Sequence, residues 1–184
     1  MGRQDLLEAV IADFQANGIG DRSLRDIAAG VGTSHRMLIH HFGSREGLLT
    51  EVVRRVEAEQ RAFLTSIDVP PERLSTVMWQ RLRASALWPN ERLFFECYAR
   101  AARGEPPYAA LLPGLVDHWL DAFAPNDPAD ATAMRARAEA RLSLALFRGL
   151  LLDLVGTEDR AGVDAAFEVY RRLERIYRST SATS

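Results

Sequence analysis

The stretch VGTSHRMLIHHFGSREG, residues 31–47, holds three of the chain's four histidines, His35, His40 and His41, together with Arg36 and Arg45. Thr33-Ser34 can cap a helix by accepting a backbone N–H, and Gly43-Ser44 stop one helix and start another. Between them, HRMLIHHF makes a helix of about two turns. Leu38 and Phe42 stand at i,i+4 and share one face. The opposite arc carries Arg36, Met37, Ile39 and His40, with His35 and His41 flanking it. Such a face mixes hydrogen-bond donors with modest apolar groups.

The histidines do not suit a metal ion. His35 and His41 lie about 9 Å apart along the axis at a rise of about 1.5 Å per residue, and His40 points elsewhere, so no set of ligands shares one face. The preceding residues are more informative. Ser23-Leu24-Arg25-Asp26 is a capping box, with an acid three residues after a serine N-cap. The short helix it opens ends near Gly30 or Gly32, with Ile27 and the small Ala28 on its inner face. Two short helices joined by a tight glycine-containing turn are the helix-turn-helix arrangement. The outward arc of the second helix then suits a DNA major groove, where Arg36 can fork onto guanine and Met37 or Ile39 can touch thymine methyls.

Charge is distributed to match. The 184 residues carry a formal net charge of −2. Residues 1–21 set Arg3 against Asp5, Glu8, Asp13 and Asp21, whereas residues 22–45 set Arg22, Arg25, Arg36 and Arg45 against Asp26 alone. A local basic patch on a mildly acidic chain still acts as an electrostatic footprint for phosphate. All 23 basic residues are arginine; biased codon composition explains this more simply than selection for the guanidinium fork.

Helical spacing continues outward from this region. Leu6, Leu7, Val10, Ile11 and Phe14 predict a first helix over 4–16, ended by Asn17-Gly18. After Gly43-Ser44, a long helix carries the stripe Leu48, Leu49, Val52, Val53 and Val56, with Arg54, Arg55, Glu57 and Glu59 expected to face water, and Val69-Pro70-Pro71 breaks it. Further helices are expected over 71–86, 90–103, 108–124, 129–155 and 160–178. No segment alternates with period two over a useful length. The fold expected is all-α, with about nine helices and a disordered polar tail over 179–184.

The segment LLEAVIADFQANGIGDRSLRDIAAGVGTSHRMLIHHFGSREGLL, residues 6–49, resembles the DNA-binding domain of TetR-family transcriptional regulators. The capped short helix, the Ala28-x-x-x-Gly32 turn, the His-His-Phe ending and the Ser-Arg-Glu start of the next helix carry the likeness. It implies a three-helix head over 1–46 and an effector-binding and dimerisation bundle over 47–178. It also assigns DNA-facing positions. Arg25 corresponds to a residue that commonly reaches DNA; Ser34, His35, Arg36 and Met37 open the recognition helix, with the last three where base edges are read. His40 lies on the same outward arc. His41 matches a frequent phosphate contact, and Arg45 stands where a lysine usually meets phosphate. Ile39 replaces a usual tyrosine and cannot donate a hydrogen bond, which removes one backbone contact. Arg36 replaces a typically small residue, which implies an altered base preference.

Residues 47–178 resemble the family's core only in helix count and order. Leu142, Ala145, Leu146, Phe147, Leu150, Leu151, Leu152, Leu154 and Val155 leave their helix little polar face, so it must be buried on several sides. Since the family pairs its last two helices across a two-fold axis, Leu146, Leu150, Leu154, Phe167, Tyr170 and Leu173 are expected at a homodimer interface. Two copies would then reach successive major grooves of a pseudo-palindromic operator. The aromatic-rich middle, with Trp79, Trp88, Phe94, Phe95, Tyr98, Trp119 and Phe123, is where the family encloses an unidentified small-molecule effector. Ordinary core packing explains aromatics at helical spacing equally well, so both accounts stay open. Glu96, Arg100 and His118 could orient a ligand, although Glu96 and Arg100 read more simply as an exposed i,i+4 pair.

Other function classes fit poorly. The longest apolar run is interrupted by Arg148 and Asp153, and the N-terminus opens directly into a helical pattern, so a membrane span, a membrane partner and a signal peptide are not expected. The single cysteine, Cys97, suits a buried small hydrophobe in a reducing cytoplasm. No Gly-rich phosphate loop and no nucleophile beside a base points to an enzyme, a metal or a cofactor. A ligand-responsive repressor in the cytoplasm is the leading expectation. The alternative is a helical ligand-binding or interaction protein of the same fold that has lost operator binding, which Ile39 and the mildly acidic head favour.

Overall fold

The computed structural model describes residues 2–18 and 20–181, and nine α-helices account for most of them. They are α1 (Arg3–Asn17), α2 (Leu24–Gly30), α3 (His35–Phe42), α4 (Arg45–Thr65), α5 (Pro71–Leu82), α6 (Trp88–Ala102), α7 (Asp117–Phe123), α8 (Ala131–Thr157) and α9 (Arg160–Ser181), with 3-10 turns at Ser85–Leu87 and Tyr108–Leu111. No strand occurs among the described residues.

Local chemistry sets the first four helices. Ser23 Oγ accepts from Asp26 N at 3.3 Å while Asp26 Oδ2 accepts from Ser23 N at 2.9 Å, which closes the capping box. Hydrogen bonds from the Ser23 hydroxyl and then from its backbone hold the Asp26 carboxyl below its ordinary pKa. Gly32, at φ +67°, makes the turn between α2 and α3, and Thr33 N reaches back to Ala28 O at 2.9 Å. Ser34 caps α3 by accepting from Met37 N at 3.2 Å. Ser44 does the same for α4 by accepting from Gly47 N at 2.9 Å. Gly47 sits where a Cβ would collide with the Phe42 carbonyl oxygen, so the α3–α4 corner closes only over glycine.

The core runs through both halves of the chain. Leu6, Val10 and Phe14 of α1, Ile27 of α2, Leu38 and Phe42 of α3 and Leu48, Leu49 and Val52 of α4 form one buried cluster. It continues without a break into Leu93, Phe94, Cys97 and Ala101 of α6 and into Tyr108, Leu111 and Leu115. Cys97 is fully buried within it, and burial pushes its thiol pKa up to about 12. A second cluster joins Trp79, Leu82 and Trp88 to Phe147, Leu151, Leu154, Val163 and Phe167.

Several expected boundaries move. The 108–124 helix is divided, because Pro113-Gly114, with Gly114 at φ +75°, turns the chain before α7. Helix α5 stops at Leu82, and α6 begins at Trp88 with Pro89 in its first turn, where a missing N–H is harmless. Helix α9 continues through Ser179 and Thr180 to Ser181, and residues 182–184 of the expected tail lie outside the described residues. Glu57, expected to face water, is buried.

Replacing Gly47 with alanine forces the α3–α4 corner open. Chemical denaturation of Gly47→Ala is expected to show a loss of about 1–3 kcal/mol in stability, with the far-UV helical signal of the native state retained.

Candidate nucleic-acid interface and effector cavity

Leu38 is fully buried and Phe42 nearly so, and this determines what the rest of α3 presents. Ser34, His35, Arg36 and His40 are exposed, and Met37 and Ile39 remain 37 % and 40 % exposed despite their apolar side chains. Arg25, one helix back, is exposed too. Neither Arg25 nor Arg36 makes an ion pair among the described residues. Arg22 differs, because it pairs with Asp13 at 2.6 Å.

His41 and Arg45 are placed differently from the other expected contacts. His41 is half-buried, edge-on to Phe42, with its Nε2 buried and unpartnered, and its carbonyl oxygen accepts from Arg3 Nε at 3.4 Å. Arg45 turns its guanidinium onto the chain, donating to Arg22 O at 2.8 Å and to Gly20 O at 3.2 Å. It therefore ties the start of α4 to the segment leading into α2.

The larger half encloses a cavity of about 530 Å³ bounded by α4, α5, α6, α7, α8 and α9. Of the seven aromatics expected there, Phe94, Trp119 and Phe123 line it. Trp79 and Trp88 are in the second core cluster, Trp79 stacked on Phe167 at 5.3 Å between ring centroids, with Phe95 packed against both clusters. Tyr98 is partly exposed beside Phe94. Phe147 and Tyr170 also line the cavity. The expected Glu96–Arg100 pair is loose at 4.0 Å, because Arg100 binds Glu105 at 2.8 Å and the Tyr108 hydroxyl at 2.9 Å. His118 is exposed and is not among the cavity-lining residues.

Sequence reasoning missed the polar groups in the cavity wall. Glu57 Oε2 accepts from Trp119 Nε1 at 2.6 Å and faces Arg148 at 3.5 Å and Arg61 at 3.8 Å. Burial raises its pKa; Arg148, the indole hydrogen bond and Arg61 oppose that without cancelling it. Glu91 Oε1 accepts from Gln60 Nε2 at 2.6 Å. Burial pushes Glu91 up to about 7; the Gln60 hydrogen bond and Arg148 lower it and Glu57 raises it further. The spacing held a clue for Glu57, which stands four residues after the buried Val53 and so on the edge of the apolar stripe. Nothing comparable marked Glu91, which reads as an ordinary first-turn acid favoured by the helix dipole.

The expected interface residues also divide. Leu154 and Phe167 are buried inside the chain, Leu146, Leu150 and Tyr170 are half-buried, and Leu173 is 60 % exposed. The exposed large apolar side chains of α8 and α9 are Met134, Leu142, Leu152, Val169, Leu173, Ile176 and Tyr177, of which only Leu173 was expected at an interface.

Residues 6–52 match the model of the family described as bacterial regulatory proteins, tetR family. Over those residues the chain is similar to the TetR family of transcriptional regulators. The HTH-type transcriptional repressor KstR2 of Mycobacterium tuberculosis is 28 % identical over 111 residues, 58 % of this chain and 56 % of that protein, so the match spans about half of the relative. A transcriptional regulator from Rhodococcus sp. Rha1 shares the fold, with a TM-score of 0.72 at 18 % identity over 94 % of this chain and 95 % of its own. A TetR-family regulator from Rhodococcus sp. superposes at 0.63, with 20 % identity over 92 % of this chain and 98 % of that one. No helix among the described residues is long and apolar enough to cross a membrane.

The raised Glu91 pKa carries a stability signature. A carboxyl that titrates near 7 when folded and near its ordinary value when unfolded takes up a proton on folding between the two. Its contribution is fully present below the unfolded pKa and is lost as pH rises through about 7. Glu91→Gln removes that dependence, so urea melts at pH 5 and pH 8 should show the variant gaining roughly 3 kcal/mol on wild type across the interval.

Proposed function

We propose that this protein is a transcriptional repressor that binds a pseudo-palindromic operator as a homodimer and is released by a small-molecule effector. The observation that carries the reading is the exposed outer face of α3. Arg36, Met37, Ile39 and His40 project from it together, while Leu38 and Phe42 anchor its back. Arginine over apolar groups on a short rigid helix is the chemistry that reads base edges in a major groove. His35, Ser34 and Arg25 extend the same surface. His41 and Arg45 are the weaker candidates for phosphate, since each already has an intramolecular task.

In this reading, residues 1–46 form the DNA-binding head and residues 47–178 the effector and dimer unit, in a cytoplasmic protein with no membrane partner. The link between them is physical. Helix α4 lines the cavity with Glu57 and Gln60 and the head's core with Leu48, Leu49 and Val52. Helix α6 does the same with Glu91 and Phe94 at one end and Cys97 and Ala101 at the other. An effector that favours a different setting of α4 or α6 lowers operator affinity by its preference between the two settings and by no more.

The second subunit is proposed from the exposed α8–α9 surface. Leu142 at 68 %, Leu173 at 60 % and Ile176 at 60 % exposure are apolar side chains on these two helices that a monomer would leave in water. Pairing these faces about a two-fold axis sets two α3 helices to meet grooves about 34–36 Å apart.

Selection of bound duplexes from a random pool is expected to return one two-fold-symmetric site. Arg36→Ala should lose preference at one base pair in each half, at a cost of about 1–3 kcal/mol, while failure to enrich any sequence would refute the reading. The dimer is tested separately: Leu173→Glu with Ile176→Glu should sediment as a monomer and bind only half-sites weakly.

A further inference from the structure

The cavity is apolar over most of its wall, with Leu74, Met78, Leu120 and Leu151 facing it, yet its α4–α6 side carries a buried carboxyl of unusual standing. Glu91 is only 5 % exposed and makes no ion pair among the described residues. Its neighbour Glu57, by contrast, has Arg148, Arg61 and the Trp119 indole around it. The one hydrogen bond of Glu91 among the described residues is accepted from Gln60 Nε2 at 2.6 Å, which leaves the carboxyl further acceptor capacity. Leaving a carboxylate unpaired in such surroundings is costly unless a proton or a counter-cation arrives.

We infer that the ligand of this cavity is a lipophilic monocation, an apolar body carrying one protonated amine, whose ammonium group pairs with Glu91. The inference rests on the reading of the cavity as an effector site and adds the chemical class of the effector. The charged groups acting on Glu91 are Glu57 from α4 and Arg148 from α8; α7 contributes Trp119, Leu120, Ala122 and Phe123, and α5 contributes no charge to the wall. Arg148 is held by Glu57 and lies over the Phe94 ring at 5.0 Å, so it is engaged before any ligand enters. The other carboxyls of the wall are also engaged: Glu174 with Arg171 and Arg178, and Glu139 with Arg135 and Tyr177. Glu91 is where an added positive charge gains most.

Decylamine, 1-decanol and decanoate share one tail and differ in the charge of the head, and calorimetric titration of each into the full chain tests the inference. At pH 8, decylamine should bind at least about tenfold more tightly than the other two. Because Glu91 must ionise to receive it, decylamine affinity should fall about tenfold from pH 8 to pH 6, with proton release at pH 7 revealed by buffers of different ionisation enthalpy. Glu91→Gln should erase both the preference for the amine and the proton release. Equal binding of the three, tightest binding of decanoate, no binding of decylamine, or an amine preference that survives Glu91→Gln would each overturn the inference. The proton count on wild type stands even if the variant fails to fold. A protein that selects an operator but ignores decylamine loses this inference and keeps the repressor reading; one that binds decylamine with proton release but selects no duplex does the reverse.

Discussion

Helices α4 and α6 each pack one end into the core that α1, α2 and α3 share and line the cavity with the other, and the rest of the molecule depends on that shared packing. Leu48, Leu49 and Val52 of α4 and Cys97 and Ala101 of α6 lie in the same cluster as Leu38 and Phe42, so a shift of α3 against that core disturbs the packing of both helices. Dense packing makes such a junction prefer discrete settings over continuous drift. The position of α3 is thus coupled to the cavity by contact, with no need for a long relay of side chains.

Polar groups also stand in the cavity wall beside that packing. A purely apolar junction would be indifferent to charge. Here, Glu57 holds Trp119 of α7, Arg148 of α8 and Arg61 of its own helix, so three helices converge on one carboxylate. Glu91, one helix away, has only Gln60 as a hydrogen-bond partner and is raised by burial to about 7. The two carboxyls differ in their surroundings: Glu57 joins several helices, whereas Glu91 has no cationic partner among the described residues.

Sequence pattern resolved the head well because every decisive feature there is local. A capping box, an i,i+4 pair and a glycine with positive φ are each legible within a few residues, and Ser23–Asp26, Leu38–Phe42 and Gly32 are as expected. The larger half was legible as helices but less so as a site. Phe94 and Phe95 are adjacent, yet tertiary packing sets the first in the cavity wall and the second against the two core clusters. Leu154 and Leu152 differ in the same way: the spacing shows a helix apolar all round, and tertiary packing turns one inward and leaves the other at the surface. The Pro113-Gly114 break was local, and its turn chemistry outweighs the apolar run across 108–124.

Arg45 shows how far a resemblance carries a residue's role. The position matches one where a cation meets phosphate, and the side chain is a cation, yet its guanidinium is directed at Gly20 O and Arg22 O. Those carbonyls precede the α2 cap, so Arg45 helps fix the entry to α2 and with it the place of Arg25. Arginine has five donors where lysine has a point charge, so a guanidinium can bridge two carbonyls at once where an ammonium offers no such planar fork. The task Arg45 performs within the chain is thus to tie the start of α4 to the segment that leads into α2, a role that the resemblance alone did not assign.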